Sequence, residues 1–334
     1  MSDAAVNTEQ RVTKAFEFHG RGGEYFKIWI VNILLTILTL GIYSAWAKVR
    51  KNRYFYSNLY LDGHSFEYLA DPITILKGRI FAVIAFVIYI AVNQLYPIAG
   101  AALALVIALA IPWLLVRSLM FNQRMSAYRN VQFRFCGKPG EAAAVLYLWP
   151  ILGILTLGIM YPYALLKLNR FIVQNSAYGT TSFEFDATYK DYGFICLIML
   201  AIFLVGGGIV FVLQTIFQPA AAAFLIVYFL ALVYPIVALS NLYYNSTMLA
   251  THEFSADLQM APYAKVLLVN LILIVLTLGL YLPVAKVRMT KYFADNICFV
   301  TNGSLDSFAV AEKENVSALG EELGEVFDFD IGVT

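Results

Sequence analysis

The sequence predicts an α-helical polytopic membrane protein with short β-hairpins on its cytoplasmic side, and three observations predict it. First, 60% of the 334 residues are hydrophobic and 13% are charged, against roughly 45–50% and about 25% in soluble domains. Second, apolar segments cover residues 25–47, 79–96, 98–120, 142–165, 193–214, 220–242 and 263–285, each near the ~20 residues that cross a bilayer. Third, one motif returns three times, as Leu38-Thr39-Leu40-Gly41, Leu155-Thr156-Leu157-Gly158 and Leu276-Thr277-Leu278-Gly279. In phase with the glycines stand Arg50, Lys167 and Arg288, then Arg53, Arg170 and Lys291, then Asn58, Asn175 and Asn296. Basic and asparagine positions held in phase make an internal repeat, with copies at approximately 16–68, 133–185 and 254–308 in a single membrane domain.

Taken in order, the first 27 residues are polar and mixed in charge, so no secretory signal is read there and the first apolar segment serves as its own insertion signal. The run 79–120 is too long for one span, and Asn93-Gln94, Pro97 and Gly100 mark a turn in its middle. The run 193–242 is divided in the same way between Gln214 and Pro219. Both read as transmembrane hairpins. No Lys or Arg lies between Arg79 and Arg117 or between Lys190 and Lys265. By the positive-inside rule both turns face away from the cytoplasm, and both termini face it.

Seven alternating spans would carry Lys167, Arg170 and Lys190 to the far side. The shared exits, such as Arg53 to Asn58 and Arg170 to Asn175, point instead to one side. Two arrangements follow for the glycine-bearing segments. In one they are broken, re-entrant helices that turn at Gly41, Gly158 and Gly279, which requires burial in protein or a cavity lining. In the other they are tilted spans whose glycines allow close packing. Charge placement favours the first.

Between the segments, Phe16-Glu17-Phe18, Phe66-Glu67-Tyr68, Phe133-Arg134-Phe135, Phe183-Glu184-Phe185 and Phe327-Asp328-Phe329 show the period of two that marks a half-buried strand. Asp62-Gly63, Gly179-Thr180 and Asn302-Gly303 supply turn signals for small hairpins, which could join into one sheet. The stretch 309–334 is an acidic tail rich in Glu and Asp.

Phe16-x-Phe18-x-Gly20, Gly22-Gly23-Glu24-Tyr25-Phe26, the run Leu38 to Arg50, Arg53-Tyr54-Phe55 and Gly63-x-x-Phe66 resemble the YjgN-type bacterial inner-membrane proteins, a family of unknown function. The likeness covers roughly residues 14 to 310. The second copy departs from it, with Met160, Leu165 and Trp149 where the other copies carry Tyr, Lys and Asn. The resemblance implies an inner-membrane location and supplies no activity, substrate or catalytic residue.

The residues themselves offer little chemistry. No nucleophile, metalloprotease or phosphate-loop motif occurs, so an enzyme is not expected and no catalytic residue is assigned. His19, His64 and His252 lack ligand spacing to Cys, Asp or Glu, so neither a metal nor a cofactor is expected. A net charge of +1 argues against a nucleic-acid partner. No Asp, Glu, Lys or Arg stands mid-segment, which disfavours ion coupling through side chains. Asn32 and Asn270 read as helix-to-helix hydrogen bonders.

Arg50, Arg53, Lys167, Arg170, Arg288 and Lys291, interleaved with aromatic residues, either fix topology or hold anionic lipid headgroups. The expectation is an uncoupled passage for a small solute or a lipid-handling protein, with membrane lipids as partners. Its rival is a scaffold that binds a cytoplasmic protein through the hairpins and acidic tail.

Overall fold

The structure is a computed structural model and describes residues 11–330, with side chains described up to residue 318. Five β–α–α–β units follow one another. Unit I holds β1 (Arg11–Phe18), α1 (Gly22–Leu38), α2 (Ser44–Ser57) and β2 (Leu59–Leu61). Unit II holds β3 (His64–Tyr68), α3 (Pro72–Leu95), α4 (Pro97–Arg124) and β4 (Ser126–Tyr128). Unit III holds β5 (Val131–Phe135), α5 (Pro139–Leu155), α6 (Tyr161–Gln174) and β6 (Ser176–Tyr178). Unit IV holds β7 (Thr181–Phe185), α7 (Tyr189–Ile216), α8 (Gln218–Asn245) and β8 (Thr247–Leu249). Unit V holds β9 (His252–Ala256), α9 (Met260–Leu276), α10 (Leu282–Asp295) and β10 (Ile297–Asn302), and α11 (Leu305–Asp330) follows.

The ten strands close into one antiparallel barrel, in the order β1-β10-β9-β8-β7-β6-β5-β4-β3-β2. This corrects the expected α-helical polytopic fold with short cytoplasmic β-hairpins, because the strands form a closed barrel in which every helix pair is rooted. Each short strand pairs with the long strand after it through a two-residue turn and with the long strand of its own unit, so every hairpin is bonded on both sides. At Asp62-Gly63 and Arg129-Asn130 both turn residues have positive φ, between 49° and 74°; this is the type I′ geometry that matches strand twist. Closure falls to β1, which pairs with β2 on one side and β10 on the other. Two further expectations fail locally. Asn302-Gly303 leads from β10 into α11 instead of turning a hairpin, and Phe327-Asp328-Phe329 lies within α11.

Because both strands of a unit sit side by side in the barrel, both ends of every helix pair are rooted there. Units II and IV carry long pairs, each with two helices long and apolar enough to cross a membrane. At 1.5 Å per residue, the 24 residues of α3 reach about 36 Å. Asp71 caps α3 by accepting from Thr74 N at 3.2 Å, and Thr188 and Asp191 form a capping box on α7. Their chain reversals fall at Tyr96 and Phe217, inside the turns that the sequence predicts.

Units I, III and V carry the glycine-broken pairs, whose first helix reaches only about 25 Å over the 17 residues of α1 or α9. Their three turns share one construction. Thr39, Thr156 and Thr277 donate through Oγ1 to the carbonyls of Leu35, Leu152 and Leu273 at 2.6–2.7 Å, and accept from the amides of Tyr43, Met160 and Tyr281 at 2.9–3.1 Å. The next residues, Leu40, Leu157 and Leu278, take φ near +50° and are 94–95% exposed. Gly41, Gly158 and Gly279 then stand at φ +90° to +93°, where a Cβ strains the backbone. Each glycine amide donates five residues back at 2.8 Å, which closes the helix end.

Candidate functional site on the barrel axis

Period-two alternation sends one face of each long strand into the barrel. In β5 (Val-Gln-Phe-Arg-Phe) Val131 and Phe135 are buried and Phe133 is half-buried, while Gln132 and Arg134 face out. The middle inward position is phenylalanine in all five long strands: Phe16, Phe66, Phe133, Phe183 and Phe254. They form a ring, with centroids 6.2–6.4 Å apart along four of its five sides. This spacing suits stacked and tilted aromatic pairs.

The second strand of each unit supplies a second layer of Leu61, Tyr128, Tyr178, Leu249 and Phe299, all buried. Its two hydroxyls are satisfied without water, since Tyr128 donates to Leu61 O at 2.7 Å and Tyr178 donates to Tyr128 O at 3.0 Å. Burial pushes the Tyr178 hydroxyl far above its ordinary value.

Two cavities meet at the phenylalanine ring. On the helix side lies a space of about 250 Å³ whose lining includes the polar Gln123, Ser176 and Thr247 beside Tyr243 and Tyr244. On the far side lies an apolar chamber of about 110 Å³, closed by Leu305, Phe308 and Ala309 of α11. Phe133, Phe183 and Phe254 line both, so the ring is the partition between them. No carboxylate and no basic side chain lines either space.

α11 is fastened over the chamber at three points, through Asp306, Phe308 and Glu312. Phe308 stacks on Tyr178 at 6.0 Å and meets His252 edge-on at 4.9 Å. One turn on, the Glu312 carboxylate, 3% exposed, accepts from Thr180 N at 2.6 Å, Thr180 Oγ1 at 2.9 Å and Thr181 Oγ1 at 2.6 Å. Burial opposes its charge, but these donors outweigh it and hold its pKa below the ordinary glutamate value. Beside them Arg129 contacts Asp306 and pairs with Asp62 at 2.8 Å, and Lys14 pairs with Asp62 at 2.7 Å. The Lys14 hydrogen bond, with help from Arg129, holds the Asp62 carboxyl low.

The basic residues singled out from the sequence do not gather at this axis. Arg53 donates to Ala70 O at 3.3 Å and Arg170 to Ala187 O at 3.0 Å. Each ties a helix to the chain two residues beyond a long strand, and in unit IV Asn241 does the same to Leu258 O at 2.9 Å. Arg288 donates to Tyr281 OH at 3.0 Å, and Lys167 lies over the rings of Tyr163 and Trp149. Arg50 and Lys291 are exposed.

The histidines stand apart from one another. His19 pairs with Glu17, His64 contacts Asp62 O, and His252 is buried and accepts from Asn302 N. Of the two asparagines, Asn270 donates through Nδ2 across its helix pair to Ala285 O at 3.4 Å, and the Oδ1 of both Asn32 and Asn270 is buried without a hydrogen-bond partner.

The sequence reading missed the fifth member of the aromatic ring, Phe254, and the Glu312 clamp. Phe254 follows the same spacing after a turn, but Ala256 stands two residues on where the other four strands carry Phe18, Tyr68, Phe135 and Phe185. Glu312 carries no local signal, because the threonines that hold it are some 130 residues away in sequence.

Apolar helices long enough to cross a membrane, rooted in a barrel with a stoppered axis, define a membrane protein of barrel-and-hairpin build. The chain belongs to the family described as "Bacterial protein of unknown function (DUF898)", which matches residues 13–326. It is similar to the inner membrane protein YjgN of Salmonella typhimurium LT2, at 26% identity over 92% of this chain and 93% of that protein. It is also similar to YjgN of Escherichia coli K12 and of Escherichia coli O157:H7. Each is 31% identical over 158 residues, or 47% of this chain, and the match spans 39% of those relatives' length. No solved structure matches the chain.

Proposed function

We propose that the protein is a non-enzymatic, uncoupled passage for a small uncharged solute in the inner membrane, running along the barrel axis and stoppered by α11. The observation that carries this reading is the pair of cavities divided by the phenylalanine ring, with Phe133, Phe183 and Phe254 in both walls. Linings without carboxylates or basic groups suit a route that is not coupled to ions. The absence of Lys and Arg around both long-hairpin turns supports a cytoplasmic barrel, with the described ends of the chain on that side. Opening then means lifting α11 and rotating the rings aside.

Reconstitution into vesicles tests this. Glu312→Ala with Phe308→Ala in the full chain should release entrapped glycerol at least tenfold faster than wild type. Release no faster than from protein-free vesicles, for both proteins, overturns the reading.

A second reading, lipid handling, is favoured by an apolar groove of about 690 Å³ between the Gly158 turn and α7, with Lys190 among its lining residues. It predicts that lipid exchange between vesicles, and not glycerol release, follows the protein.

A further inference from the structure

Unit I and α3 enclose a cleft of about 420 Å³ that shares no lining residue with the axial cavities. Three cations line it: Lys48 and Lys51 of α2 and Arg79 of α3. Lys48 lies close enough to Arg79 and Lys51 for both to oppose its charge, and Lys51 stands in the same relation to Lys286. Among the described residues no carboxylate lies within ion-pair distance of any of the four. The polar contact that Arg79 makes is with Ser44 Oγ. Clustered, partly desolvated cations without a counter-charge repel one another, and an anion between them removes that cost.

A second, independent feature points to a ligand. Asn32 is 7% exposed, lines this cleft, and leaves its Oδ1 without a partner. A buried amide oxygen left unpaired is destabilising, and a ligand donor would remove that cost. The rim is apolar, with Trp29, Ile33 and Ile37 on the α1 side.

The other glycine-broken units lack the construction. At the same offsets from the glycine, unit III has Trp149, Tyr161, Leu165 and Leu168 in place of Asn32, Ser44, Lys48 and Lys51, and unit V has Asn270, Leu282, Lys286 and Met289. Unit V thus keeps the asparagine, its Oδ1 also unpartnered, and one lysine, but only the cleft between unit I and α3 of unit II brings three positive side chains to that amide.

We propose that this cleft is a phosphate-binding site. A guanidinium and two ammonium groups share the phosphate oxygens. Asn32 accepts from a hydroxyl of the ligand, or donates to a phosphate oxygen with its amide turned over. The apolar rim suits a phospholipid headgroup whose chains lie along α1, and free phosphate shares the same chemistry at the cleft floor. The inference does not rest on the axial passage, and its readout is bound phosphorus, not flux.

The full chain purified in mild detergent is the material for the test. Native mass spectrometry with added phosphatidylglycerol, and phosphorus analysis after washing, should show a bound lipid in the wild type. The Lys48→Gln, Lys51→Gln, Arg79→Gln triple variant should lose it by at least tenfold, while Lys138→Gln, an exposed position in unit III, retains it. Displacement by millimolar inorganic phosphate identifies free phosphate as a sufficient ligand, and resistance to displacement identifies the lipid. A triple variant with an unchanged melting temperature and wild-type phosphorus content overturns the proposal, as does a wild type that binds neither species. If the triple variant does not fold, Arg79→Gln and Asn32→Leu, each alone, should weaken phosphatidylglycerol binding several-fold, and unaltered binding in both has the same overturning force.

Discussion

In the barrel, Phe299 is 3% exposed and every residue of β4 and β6 is buried. In α3, Phe81 is 73% exposed and no residue is buried at all. The two regions share the chain's aromatic and aliphatic side chains but use them differently. The barrel buries them against protein, and Tyr128 and Tyr178 satisfy their hydroxyls on neighbouring strands. The long hairpins offer theirs to the surroundings, which only a lipid phase covers at low cost. The difference teaches where folding specificity resides: in the barrel, packing selects one structure, while in α3, α4, α7 and α8, length and hydropathy suffice.

The largest effect is expected for Phe299→Ala, which should cost roughly 3–5 kcal/mol by leaving a cavity in the inner layer, read as a fall in the denaturation midpoint in detergent. Glu312→Ala should cost roughly 1–3 kcal/mol, because it leaves the Thr180 amide without its acceptor.

The sign of the pH effect follows from the lowered pKa of Glu312. Its contribution is present above the ordinary glutamate value of about 4.3 and is lost as pH falls through the lower folded value. Protease sensitivity of α11 should therefore rise only at pH below about 4, and Glu312→Gln should remove that dependence.

Two glycine substitutions sharpen the comparison further, since an added Cβ meets nothing within 4 Å at Gly158 or at Gly208. Gly158→Ala should still destabilise by about 1–2 kcal/mol because of its left-handed backbone, whereas Gly208→Ala in α7 should stabilise by up to about 1 kcal/mol. The smallest effect belongs to Phe86→Ala on α3, 61% exposed, expected within about 0.5 kcal/mol in detergent.

Much of this was legible in the sequence, and the illegible part is largely nonlocal. The segment pattern, the two long-hairpin turns and the strands at Phe66, Phe133 and Phe183 could be read from local periodicity. The three Leu-Thr-Leu-Gly turns announced themselves through glycine, but not the left-handed leucine before it, which no local preference favours. The barrel was not legible because β2, β4, β6 and β8 are three residues long, too brief to show a period, and because the closing pair joins Arg11 to Asn302 from opposite ends of the described chain. For the candidate site, the repeated Arg53 and Arg170 stood out by phase, yet their role as ties to Ala70 and Ala187 depends on where strands end in space. Lys48, Lys51 and Arg79 become a group only when α3 lies beside α2.

Pairing of β1 with β10 joins Arg11 to Asn302 and Ala15 to Cys298. During synthesis β1 emerges before the other strands, and this partner is made only after all five helix pairs have been synthesised. Until then β1 has one free edge, a template for unwanted pairing. The ring therefore completes its structure in a single late step, and a chain arrested anywhere before residue 297 leaves an open sheet in place of a barrel, a ready mark by which quality control can tell unfinished copies from finished ones.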